Sequence, residues 1–191
     1  MKLIILATLL LASCAMTPSK PVLPVETPKP EVKTTLAWGD KYPEWDKALT
    51  DAVNASALRS DVKTPCKTLP AKKCLIQLIS IMAKFESSFK PETQFKESFN
   101  DSKGKPVISR GLLQLSIESA NQKAYGCNIK KPEELHNPKT NLECAVKIVV
   151  FQANKSGTLM GEPKLGCAAY WSVCRKSSGS NAKIISYLQN L

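Results

Sequence analysis

Leu75, Leu78, Ile79 and Met82 recur at the i, i+3, i+4, i+7 spacing of a helix with one buried face. They predict a helix from Pro70 to roughly Ser87. A second helix is expected over Pro43 to Leu58. Pro43 fits its first turn, and Glu44 and Asp46 complement the positive end of its dipole. Similar periodicity predicts helices over Leu112 to Lys123, Pro138 to Asn154, Leu165 to about Trp171, and Asn181 to Leu191. Between Phe95 and Ser109 the pattern changes. Asn100-Asp101-Ser102-Lys103-Gly104 is a turn cluster, and the short segments beside it carry Phe95, Phe99, Val107 and Ile108. A small β-hairpin is expected there. The fold class is therefore α+β, mostly α.

The Pro70–Ser87 stripe continues onto a charge. At 3.6 residues per turn, Glu86 lies within about 20° of both Leu75 and Ile79. The pattern thus puts a carboxyl in line with the buried face, at the end of a helix. Burial without a cation raises a carboxyl pKa, and the helix C-terminus disfavours a negative charge. A carboxyl held protonated toward a pKa of about 6 suits a general acid for a glycosidic oxygen. The stripe alone also allows Glu86 to cap the helix end and face solvent.

The N-terminus reads as an export signal. Lys2 supplies the positive start, and Leu3 to Ala12 is an apolar core too short for the roughly 20 residues of a membrane span. It ends in Leu11-Ala12-Ser13-Cys14, which resembles the bacterial lipobox. That resemblance implies that residues 1–13 are removed and that Cys14 is lipidated (palmitate being one expected acyl group). A proline-rich tether then follows over residues 14–36, reaching about 70 Å at ~3.3 Å per residue. Ala15 is not an aspartate, so in a Gram-negative host the expected address is the outer membrane, facing the periplasm. Residues 37–191 suit one catalytic domain with one core, expected to act as a monomer.

The chain has seven cysteines. Setting Cys14 aside leaves Cys66, Cys74, Cys127, Cys144, Cys167 and Cys174, and six thiols in an exported chain suggest three disulfides. Fifteen connectivities are possible. Neighbour pairing is the simplest, on one condition. Seven residues of continuous helix rise about 10 Å, too far for a bridge, so a helix holding Cys167 must end before Cys174. With no CxxC and His136 as the sole histidine, neither a metal site nor another cofactor is expected.

The formal net charge is +11 and the pI about 9.4. The basic residues are scattered, with no nucleic-acid motif, which turns the reading away from nucleic acid and toward an acidic extracellular polymer. Peptidoglycan, with carboxylates on its peptide stems, is such a polymer. Plain solubility explains the charge equally well.

Three blocks carry a family resemblance. Glu86-Ser87-Ser88-Phe89, then Ser109-Arg110-Gly111-Leu112-Leu113-Gln114-Leu115, resemble the signature blocks of the soluble lytic transglycosylase and goose-type lysozyme superfamily. Ala168-Ala169-Tyr170 resembles its Ala-Ala-Tyr-Asn segment, and Asn137-Pro138 with Asn141 resembles the stretch between. The resemblance covers roughly Ala71 to Arg175. It implies a lysozyme-like fold with the hairpin beside a cleft, and cleavage of the MurNAc–GlcNAc β-1,4 bond with Glu86 as acid/base. It also implies that Gln114 and Tyr170 lie in that cleft. Ser109 and Trp171 are grouped with them as candidate substrate contacts.

Two departures from the family pattern matter. Trp171 stands where the family usually has asparagine, and it either stacks on a sugar or packs. The segment between the first two blocks is longer than usual and carries Glu97 and Asp101. Glu97 is the preferred second carboxylate, though a solvated surface role is open. A lytic transglycosylase with one acid leads. A hydrolase using two carboxylates and a non-catalytic peptidoglycan-binding lipoprotein are the alternatives.

Overall fold

A computed structural model describes residues 35–191. The expected signal peptide, Cys14 and nearly all of the expected tether lie outside the described residues. Among the described residues, no helix is long and apolar enough to cross a membrane.

Helix α1, Pro43–Ala55, starts with Pro43 in its first turn and buries Trp45, Ala48, Leu49 and Val53 along one face. It stops three residues short of the expected Leu58. Ser56 turns extended, and Asn154 Nδ2 donates to Ala57 O at 2.9 Å. The chain ahead of α1 already packs, because Trp38 is buried and donates to Asp46 Oδ1 at 2.6 Å.

Helix α2, Ala71–Ser87, is the central element, burying Leu75, Leu78, Ile79 and Met82 as the stripe predicts. It ends where Ser88 takes a left-handed conformation, φ 53°, and Ser88 N–H donates back to Lys84 O. The hairpin follows as β1, Gln94–Asn100, and β2, Pro106–Arg110. The strands are antiparallel, with Phe95 opposite Ser109 and an irregularity between Lys96 and Asn100.

Two expected helices are different in the structure. Over Leu112 to Lys123 only α3, Ile117–Ala120, is helical. Before it, Arg110 and Leu115 exchange two backbone hydrogen bonds of 2.9 Å, so the backbone groups that a helix would use are spent in a tight loop. Leu112, Leu113 and Leu115 all point into the core, and their burial mimics a helical stripe. Tertiary packing has overridden the local pattern.

Helix α4, Pro138–Ser156, begins on an Asn137 side-chain cap and ends at Gly157, φ 73°. Strands β3, Met160–Gly161, and β4, Leu165–Gly166, form a second small antiparallel pair. The expected Leu165–Trp171 helix is replaced by β4 and one 3-10 turn, Cys167–Ala169. Gly166 explains the change, since a Cβ there would lie 2.2 Å from Leu159 O. Helix α5, Gly179–Gln189, closes the domain against α2.

The three neighbour disulfides form. Cα–Cα distances are 5.9 Å for Cys66–Cys74, 5.2 Å for Cys127–Cys144 and 5.9 Å for Cys167–Cys174. The geometric condition on the last pair is met, because the turn holding Cys167 ends at Ala169 and Trp171 is extended.

Candidate active site

A cleft of about 660 Å³ opens between the end of α2, the hairpin and the segment around Tyr170. Glu86 enters it from the last turn of α2, and Glu97 enters from β1. Two carboxyl groups therefore come to one cavity from separate elements.

Of the two readings that the stripe allows for Glu86, the structure shows the one turned into the cleft. Among the described residues nothing donates a hydrogen bond to its carboxyl, and no cation pairs with it. Burial pushes its pKa up from 4.5 to about 8, and the negative charge of Glu97 adds to the rise. This exceeds the value near 6 expected from the sequence, with burial as the larger cause and the Glu97 charge as the smaller. At neutral pH Glu86 holds its proton.

Glu97 is half-buried and held in place. Ser109 Oγ, on β2, donates to Glu97 Oε1 at 2.6 Å, and Ser109 is itself buried. Ser109 therefore lines the cleft with its hydroxyl committed to Glu97. Asp101, the other acid near the hairpin, is committed elsewhere. Its Oδ1 accepts from Lys103 N–H and Lys105 N–H, both at 2.8 Å, and the Lys105 N–H bond is the larger influence holding its pKa low.

Gln114 lines the cleft in a left-handed conformation, φ 46°. Its Nε2 donates to Gly111 O at 2.8 Å and Thr93 O at 3.1 Å. The donors are thus occupied, leaving the amide oxygen as the group free to accept from a substrate. The loop that presents Gln114 is built on fully buried Asn141. Its Oδ1 accepts from Leu113 N–H at 2.9 Å, and its Nδ2 donates to Arg110 O and Leu135 O at 3.0 and 2.9 Å. Gly111 must be glycine here, since φ is 77° and a Cβ would lie 2.0 Å from Leu135 O.

Tyr170 also lines the cleft, its hydroxyl hydrogen-bonded to Ser119 Oγ. Burial pushes its pKa up to about 12, so the hydroxyl stays neutral beside Glu86. Trp171 borders the cleft but is 3 % exposed, and its Nε1 donates to Leu113 O at 2.8 Å. Of the two roles open to it, packing is the one visible here: an indole so covered offers no free face for stacking.

Glu86, Glu97, Ser109, Gln114, Tyr170 and Trp171 thus meet at one cavity. Sequence reasoning missed Ser119, which holds Tyr170, and the lining contributed by Phe99, Lys103 and Arg175. Ser116 and Ser119 carry a helix-cap spacing, which signals local structure and not a cleft.

Comparison with known proteins places this geometry. A family model described as the transglycosylase SLT domain matches residues 67–171. No curated protein sequence matches the chain. A solved structure titled "Bd0314 DslA wild-type form 2" is 36% identical, covering 82% of this chain and 95% of that chain, with a TM-score of 0.70. Two glutamate-to-glutamine mutants of DslA are similar at 34% and 35% identity, covering 84% and 82% of this chain and 98% and 96% of theirs, with TM-scores of 0.72 and 0.69.

Proposed function

The chain belongs to the transglycosylase SLT domain family, and from that premise we propose that its cleft cleaves the β-1,4 bond between MurNAc and GlcNAc in peptidoglycan, with Glu86 as the acid. The observation that carries the proposal is that Glu86, on the buried end of α2, and Glu97, on β1, line one cavity, with burial raising the pKa of Glu86. Glu86 gives its proton to the bridging oxygen as the C1–O bond breaks. Positive charge then develops at C1, and Glu97 supplies a fixed negative charge near it.

The next step sets the product. With Glu97 activating a water, attack at C1 leaves a reducing end. The placement of Glu97, held by Ser109 in the same cavity as the acid, favours this hydrolysis. The spacing in the DslA mutants supports treating the two carboxyls as a pair, whichever product forms: the glutamates replaced there lie eleven positions apart, as do Glu86 and Glu97. The family description favours a second reading. In it the muramyl C6 hydroxyl attacks C1, Glu86 takes back the proton, and a 1,6-anhydro end forms. Mass spectrometry of digested peptidoglycan separates the two. Reducing ends support hydrolysis, anhydro ends support transglycosylation, and a digest without products refutes the enzyme reading.

The Leu-Ala-Ser-Cys pattern supports a lipid anchor at Cys14 and an outer-membrane address in a Gram-negative host. The tether would let the domain reach the wall from the membrane. Fractionation of cells expressing wild type and Cys14→Ala tests this, and equal release of both proteins into the soluble fraction overturns it.

A further inference from the structure

The hairpin does more than deliver Glu97. Among the described residues four large apolar side chains are exposed, and two of them, Phe95 and Phe99, belong to β1. Phe99 lies two residues beyond Glu97 and lines the same cleft while 59% exposed. Phe95 is equally exposed, at 62%, but does not line the cleft. Leaving a phenyl ring in water forgoes the gain of burying it. Nothing in the core of the hairpin requires the ring either, since Val107 and Ser109 from β2 form the buried surface there.

The hairpin tip is built to hold its shape. Asp101 N–H donates to Lys105 O at 2.8 Å, and Gly104 N–H donates to Asp101 O at 3.0 Å. The Asp101 carboxylate accepts two more backbone N–H groups across the turn. Phe99 therefore sits on a braced wall, one strand step from a carboxylate of the site.

We propose that Phe99 is a substrate-binding residue whose ring forms a platform for the apolar C–H face of a pyranose in the glycan strand, on the hairpin side of the cleft. A flat aromatic surface and the C–H face of a sugar match in shape, and each loses apolar contact with water when they meet. The position fixes which part of the substrate is read. It is a sugar beside the scissile bond, since Phe99 and Glu97 share one strand and one cavity.

This inference rests on the proposed function, and the test keeps the two separable. Binding of soluble MurNAc–GlcNAc oligosaccharides is measured by calorimetry on the full protein carrying Glu86→Gln, which prevents turnover. No binding to that protein would refute the substrate assignment itself. Given binding, adding Phe99→Ala should weaken it roughly fivefold, the size expected for one aromatic contact. Phe99→Tyr should retain the affinity, and Phe95→Ala should leave it unchanged. The melting temperature should hold in all three, as the side chains are exposed. Equal affinities for Phe99→Ala and its parent, or an equal loss in Phe95→Ala, would overturn the platform.

Discussion

Replacing Glu86 by glutamine should stabilise the protein by an amount that grows with pH. Folding raises the pKa of this carboxyl from 4.5 to about 8. Below pH 4.5 the group is protonated in both states, and its shift contributes nothing. Between pH 4.5 and 8 the unfolded chain releases the proton while the folded chain keeps it. The unfolded state then binds fewer protons, so stability falls as pH rises. Above pH 8 both states are ionised, and the loss is complete. Each pH unit in the window is worth about 1.4 kcal/mol, so the loss reaches about 3 kcal/mol at pH 7 and about 5 kcal/mol above pH 8. Glu86 keeps some exposure in the cleft, so the measured loss should fall on the lower side of these values. Glutamine resembles the protonated acid and carries no such linkage. Denaturant unfolding of wild type and Glu86→Gln at pH 4.5, 6, 7 and 8.5 should show the gap opening steadily, other groups cancelling in the difference. Activity should follow the same proton. Wild-type turnover should fall as pH rises through about 8, and Glu86→Gln should lose at least about 10²-fold. A stability gap independent of pH would refute the buried, protonated Glu86.

Glu97→Gln removes the charge that helps to raise Glu86, so the alkaline limb of the kcat/KM profile should move to lower pH while activity falls; an unmoved limb would uncouple the two groups. Asn141→Ala strands Leu113 N–H and the Leu135 carbonyl, while Arg110 O keeps its bond from Leu115 N–H, and at ~1–3 kcal/mol for each unsatisfied buried group it should lower the unfolding free energy by at least about 2 kcal/mol. Thiol labelling of the denatured, unreduced protein should find no free thiol among the six domain cysteines, and removing Cys127–Cys144 by paired alanines should cost about 2–5 kcal/mol in denaturant unfolding.

The sequence determined the elements that rest on local pattern. The stripe Leu75, Leu78, Ile79, Met82 defined α2 and placed Glu86 on its buried line, because helical periodicity is a property of neighbouring residues. The turn cluster at Asn100 to Gly104 announced the hairpin, and the cysteine count announced three bridges, for the same reason. The three family blocks marked Glu86, Ser109, Gln114 and Tyr170 of the cleft in advance. Only the tertiary structure decided what depends on partners distant along the chain. The leucines after Gly111 read as a helix, yet Asn141, some thirty residues away, holds that backbone in a loop and aims Gln114. Trp171 could have stacked or packed until Leu113 O claimed its N–H. The charge of Glu97 adds to the effect of burial on Glu86, because Coulomb interaction acts through space between two elements that only folding brings together.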